Sequence, residues 1–250
     1  MIELWYKITE LLLPFEWTRY MFMKNALLAI ILVTPLFAML GTIVVGNRMA
    51  FFSDVLGHSA LTGIAIGVVL GLGDPIWSMV SFAVLLAIAV TMFKGATHAA
   101  SDTVLGVFFA VAVALGVVLL SRGGSFSRFT MYLIGDILAV TPGQILILAA
   151  MFLVVVIYWI ILGNDLLLIS VNPMLARSRG IPVFLVEASF AVLLALVVTF
   201  SIRLVGILII NSLLILPAAA SRNISCSVRA YTLWAIGMSL VSGIAGLIAS

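Results

Sequence analysis

Charge is scarce in this 250-residue chain: Asp, Glu, Lys and Arg make up only 8% of it, against about a quarter in a soluble domain. Hydrophobic residues make up 65%, and the mean hydropathy is +1.38. Too little polar side chain is present to cover a water-facing surface, which excludes a soluble globular protein and leaves a polytopic membrane protein. Cysteine occurs once, as Cys226, so no internal disulfide can form and no C-x-x-C metal site exists. A net charge of +3, scattered along the chain, excludes a nucleic-acid partner. The G-x-x-x-x-G-K-[ST] loop is absent, so the chain cannot cradle nucleotide phosphates by a P-loop of its own. Neither H-E-x-x-H nor a nucleophile–base–orienter set is present, and catalysis by this chain is not expected.

What is present is a series of apolar runs long enough to cross a bilayer as helices. They lie at about 22–45, 54–73, 76–93, 103–120, 145–162, 183–200, 205–220 and 231–249. The fold class expected is all-α: a transmembrane helical bundle of about eight full spans plus one short broken helix. The short element, residues 129–141, is interrupted by Gly135 and Asp136. As a helix it is about 20 Å long, against a hydrocarbon core of about 30 Å. Residues 1–21 read as an interfacial helix, with Glu3, Lys7 and Glu10 opposite Ile2, Trp5, Ile8, Leu12 and Leu13 and with Trp5 and Trp17 as anchors. No clean apolar core of a secretory signal appears there, because Glu3, Glu10 and Glu16 interrupt it. Residues 22–250 then form a single transmembrane domain.

Positive charge suggests an orientation. If the short element crosses, Lys7, Arg19, Lys24, Arg122, Arg128, Arg177, Arg179, Arg222 and Arg229 share one side, opposite Arg48, Lys94 and Arg203. If it does not cross, the split is even. The positive-inside rule therefore predicts a crossing and a cytoplasmic N-terminus. Asp54 is then at the outer mouth of its helix, and the connection from Gly163 to Pro182 is cytoplasmic.

Asp54 and His58 are the ionisable pair in an otherwise apolar stretch. Spaced i, i+4, they stack on one helix face a turn apart. Keeping a carboxylate and an imidazole inside a membrane costs a few kcal/mol, which marks a functional site. Their oxygen and nitrogen donors suit divalent transition metals. Gly63, Gly67 and Gly71 form a small-xxx-small ridge on the same helix, suited to close helix packing. Asp102 opens its span, where a helix N-cap and a path-lining carboxylate are both open readings. For Asp136 a cap and an ion path stand equal. Asn211 reads as an interhelical hydrogen bond, with a place on the transport path as the alternative. In the basic segment 172–182, Asn172 and Pro173 form a helix start and Gly180 a stop. That brackets a short amphipathic helix carrying Met174, Leu175, Arg177 and Arg179, which is either a solvated loop or a docking element for a cytoplasmic partner.

Several separated blocks resemble the integral membrane permeases of ABC-type zinc, manganese and iron importers. They are FMKNALLA from Phe22 to Ala29, RMAFFSDVLGHSALTG from Arg48 to Gly63, DTVLG from Asp102 to Gly106 and MYLIGDILA from Met131 to Ala139. VGILIINSLLILPAAASR from Val205 to Arg222 and the basic loop at 172–182 complete the set. The resemblance implies a multi-pass protein of the bacterial cytoplasmic (inner) membrane. It also implies a second permease copy as homodimer partner, a cytoplasmic ABC ATPase and an extracytoplasmic metal-binding protein. Asp54 and His58 match the family's metal positions. Residues 172–182 match its coupling helix, with Asn172, Pro173, Met174, Leu175, Arg177, Arg179 and Gly180 on the ATPase. No permanently bound cofactor is implied: zinc, manganese or iron is cargo, and ATP acts only through the partner. Members of the family usually continue through another short apolar segment beyond the position of Ser250. The reading from a different class is an ion-coupled secondary metal transporter or channel, for which inverted repeats and paired broken helices are expected.

Overall fold

A computed structural model describes residues 20–72, 74–97, 100–123 and 134–249. The helices are α1 (Met21–Gly46), α2 (Ala50–Val69), α3 (Ile76–Ala96), α4 (Ser101–Gly123), α5 (Pro142–Val171), α6 (Pro173–Ser178), α7 (Val183–Val205), α8 (Ile207–Ile224) and α9 (Val228–Ala249). All but α6 are long and apolar enough to cross a membrane, which makes eight candidate spans among the described residues. The interfacial helix expected over 1–21 lies almost wholly outside the described residues, as does residue 98, the second histidine position.

The helices pack through small residues and side-chain-to-backbone hydrogen bonds, as expected where lipid removes the gain from burying leucine on leucine. α1 is central and contacts α2, α5, α8 and α9. Gly41 lets the backbone of α8 cross α1 directly, because a Cβ there would strike the Leu214 carbonyl oxygen. The Thr62 hydroxyl donates to the Ala112 carbonyl at 2.7 Å and ties α2 to α4. The Ser239 hydroxyl donates to the Thr34 carbonyl at 3.1 Å and ties α9 to α1. Gly63 and Gly67 receive α3: a Cβ on Gly63 would lie 2.7 Å from the Met79 Cα, and one on Gly67 would strike the Ser78 hydroxyl. Gly71 does not extend this ridge. It lies beyond the end of α2 at φ +70° with nothing near it, so it makes the turn after the helix rather than the packing surface expected of it.

Which helix ends share a membrane face follows from a few contacts. Gly46, at the end of α1, lies against Ser170, near the end of α5. Arg222, near the end of α8, donates to the Val45 carbonyl at 3.4 Å. Lys94, near the end of α3, pairs with Glu187 in the second turn of α7 at 3.2 Å. The starts of α2 and α7, the ends of α3, α5 and α8, and the segment 172–182 are therefore all on one face. On the opposite face, the Asn25 amide near the start of α1 donates to the Val140 carbonyl at 3.4 Å. Leu247 near the end of α9 packs there with Ala26 and Leu27.

Two expectations are corrected by this arrangement. α4 ends and α5 begins on the same face, so the chain between them does not cross. Residues 129–133 lie outside the described residues; from Gly135 to Val140 the chain is non-helical. It is held by Gly135 and Gly206, both at positive φ (+72° and +83°), where a Cβ on either would collide with the other's backbone. Asp54's mouth and residues 172–182 consequently share a face, instead of opposite faces as charge counting suggested, and α1 starts on the other one. A cytoplasmic start of α1 and a cytoplasmic 172–182 segment cannot both hold. The second correction concerns Gly163 to Val171, which is helix and not loop. α5 runs for 30 residues, about 45 Å at 1.5 Å per residue, and overreaches a core of about 30 Å.

Candidate metal centre

Asp54 and His58 lie in the second and third turns of α2, about 6 and 12 Å from its start. The His58 Nε2 is 3.5 Å from the Asp54 Oδ1, with the two side chains 33% and 31% exposed. That separation is long for a hydrogen bond and short enough for one ion to bridge both groups. An edge-to-face contact with Phe109 of α4, centroids 5.5 Å apart, backs the imidazole. Phe51 packs on the same phenyl ring at 5.3 Å. The pair thus has an aromatic wall on the α4 side.

α8 supplies the other side. The Asn211 Nδ2 donates to the Asp54 Oδ1 at 2.6 Å across 157 residues of chain. This contact depends on Gly57, between the two ligands: a Cβ there would come within 2.8 Å of the Ile207 Cγ2, at the start of α8. The sequence pattern marked Asn211 as an interhelical hydrogen bond but did not reveal its partner, and it passed over Gly57 altogether. The Asn211 Oδ1 is buried without a hydrogen-bond partner, a state that costs about 1–3 kcal/mol. Among the described residues no group of three or more His, Cys, Asp or Glu side chains gathers as a metal site.

The other candidates are elsewhere. Asp102 is exposed in the first turn of α4, a favourable place for a carboxylate beside the helix dipole. Asp136 is on the face opposite Asp54's mouth, where its Oδ1 accepts from the Leu138 and Ala139 N–H groups at 3.2 and 3.1 Å. It also lines an apolar cavity of about 770 Å³ between α1, α8 and α9. Neither touches the Asp54 group. In α6 the Asn172 side chain accepts from the Leu175 N–H at 3.1 Å, the N-cap expected of it, and Gly180 makes the turn after the helix at φ +78°. Ala176 is buried against the bundle, while Met174 and Leu175 are 76% and 43% exposed. Arg177 and Arg179 are exposed beside them.

The model of the ABC 3 transport family matches residues 19–250. The chain belongs to that family. It is 36% identical over 226 residues to the high-affinity zinc uptake system membrane protein ZnuB of Haemophilus influenzae, covering 90% of this chain and 86% of the relative. It is 31% identical over 232 residues to the manganese import system permease protein ScaB of Streptococcus parasanguinis, covering 93% and 80%. Among solved structures, PsaBC from Streptococcus pneumoniae in complex with Fab superposes with a TM-score of 0.78 at 27% identity, over 99% of this chain and 86% of that one.

Proposed function

We infer that this chain is the membrane-spanning permease subunit of an ATP-driven importer of zinc, manganese or iron. The observation that carries the reading is the convergence of Asp54, His58 and Asn211 inside a membrane bundle of this family. Polar groups kept inside a membrane bundle and partly open to a path are what an ion needs in place of its hydration shell. The chain supplies no P-loop, so ATP is hydrolysed on a separate cytoplasmic subunit. An extracytoplasmic binding protein delivers the metal. A second permease copy brings its own Asp and His, giving four donors where one chain has two.

α6 is the coupling helix in this reading, gripped by the ATPase through the exposed Met174 and Leu175 with Arg177 and Arg179 at the rim. The shared face then becomes cytoplasmic, and α1 starts outside. Asp54 and His58 sit about one and two turns from the start of α2 on the ATPase side, so the ion crosses most of the bilayer before it meets them. Alternating access follows. With the outer path open the ion reaches the pair, and closure driven through α6 and α7 shuts that path and frees the inner mouth. Both ligands leave α2 near this mouth, so release inward is short. Affinity stays moderate, because an ion held too tightly would not leave.

The test is metal uptake by the permease–ATPase complex in proteoliposomes with the binding protein supplied outside. Uptake that needs ATP and is lost in Asp54→Ala supports the reading; undiminished uptake by Asp54→Ala and by His58→Ala removes both from the path. Orientation is tested by placing a cysteine at Ser178 in a Cys226→Ser background, since Cys226 is itself exposed. Labelling of that cysteine from outside intact cells would overturn the cytoplasmic placement of α6.

A further inference from the structure

We propose that Asn211 is a third metal ligand of this chain, its side-chain oxygen completing the set begun by Asp54 and His58. The inference rests on the metal-import reading and deepens it. Asn211 Nδ2 is 2.6 Å from the Asp54 Oδ1, and the two ends of a planar amide are about 2.3 Å apart, so Asn211 Oδ1 lies within about 5 Å of that carboxylate oxygen. His58 Nε2 is 3.5 Å from the same atom. Opposite ligands of an ion with metal–oxygen bonds of about 2.1–2.4 Å stand about 4–5 Å apart. One ion can therefore touch all three groups with side-chain rotation alone.

The unused acceptor points the same way. Buried polar atoms are nearly always paired, and the Asn211 Oδ1 has no partner. The amide has a donor end and an acceptor end that exchange by a half-turn about χ2, a soft torsion. In this structure the donor end faces Asp54, where it holds the carboxylate. When an ion arrives, the amide turns over and presents oxygen, while the carboxylate is held by the ion instead. The amide thus offers its N–H to the Asp54 carboxylate and its oxygen to the ion.

The choice of ligand has a consequence for selectivity. An amide carbonyl is a hard oxygen donor of the kind manganese takes in six-coordinate sites, whereas zinc favours four ligands rich in nitrogen and sulfur. Removing it weakens manganese more than zinc. A serine or histidine at this position would offer a different balance, so position 211 is a place where members of this fold can be tuned.

The experiment uses the permease–ATPase complex in lipid nanodiscs, titrated with Mn²⁺ and followed by the free-ion EPR signal, with Zn²⁺ affinity taken from competition. Asn211→Ala is expected to weaken Mn²⁺ binding about tenfold or more and Zn²⁺ by clearly less. Asn211→Asp, which keeps an oxygen and loses the N–H, is expected to retain Mn²⁺ binding. Wild-type affinity for both ions in Asn211→Ala overturns the assignment. So does equal loss for both ions, or Asn211→Asp failing as badly as Asn211→Ala, since either means that the amide acts only through its N–H on Asp54. Co-purification of the ATPase reports folding, and Asn211→Ser replaces any variant that does not assemble. Asp54→Ala in parallel separates the two readings: if it binds and transports normally, the import reading fails first; if it is inactive while the Asn211 variants behave as wild type, only this inference fails.

Discussion

Of the candidate spans, α5 is the most apolar and α2 the least, yet 67% of the best window of α2 is buried and only 17% of that of α5. In water the order would be reversed. Lipid tails are as apolar as leucine, so burying leucine gains little, and the interior goes to residues that pack closely or need partners. α2 holds Gly57, Gly63 and Gly67 where backbones cross, Thr62 bonded to α4, and the Asp54–His58 pair. α5 leaves Leu153 and Ile160 on the outside of the bundle, at 61% and 73% exposure, and runs on for 30 residues before it delivers the chain to α6. The helix that looks least suited to a membrane carries the candidate metal pair, and the helix best suited to it lies on the outside of the bundle.

The strongest way to break this contrast is at the pair itself. Asp54→Ala and His58→Ala should each cut metal uptake by at least about 100-fold, with ATPase assembly unchanged in a pull-down; both variants transporting normally would leave α2 no special standing. Next comes the far end of α5. Changing Met174 and Leu175 together to Asp should release the ATPase and stop uptake, because interface energy concentrates in a few buried apolar anchors. Arg177→Ala should weaken assembly modestly, most visibly at high salt. Retention of the ATPase by the double variant would show that α6 is not the grip.

Smaller effects sharpen the packing side of the comparison. Gly63→Val drives a branched side chain against the backbone of α3 and should cost about 1–3 kcal/mol, read from unfolding of the purified permease in mixed micelles. Ile160→Ala removes as many carbons from α5 as Gly63→Val adds to α2, but at an exposed position, and it should change stability by no more than about 0.5 kcal/mol. If Ile160→Ala proved as damaging as Gly63→Val, α5 would be covered by protein, and a second permease copy would be the first occupant to test.

Legibility differed from element to element for physical reasons. The eight spans were readable because crossing a bilayer demands a run of apolar residues that nothing else explains. Their ends were less so: α5 continues to Val171 through Asn164 and Asp165, since a helix can leave the lipid without a break in its hydrogen bonding. Gly63 and Gly67 were read correctly as a packing ridge, and Gly71 was not, because spacing along a helix says nothing about where the helix stops. The placement of Asp54's mouth opposite residues 172–182 failed for a similar reason. Charge counting depended on whether the chain between α4 and α5 crosses, and that follows from which helix ends meet, such as Gly46 of α1 against Ser170 of α5, from distant parts of the chain.

By itself, then, the sequence determined the solvent, the helical class, the i, i+4 Asp–His pair and the N-cap at Asn172, all of which arise from composition or from residues within one turn of each other. The tertiary structure alone decided that Asn211 of α8 reaches Asp54, that Gly57 admits Ile207 between the two ligands, and that α6 and the mouth of α2 share one membrane face. Each of these is a contact between helices far apart along the chain. Such contacts depend on how grooves and small residues on separate helices fit together, which no local pattern encodes.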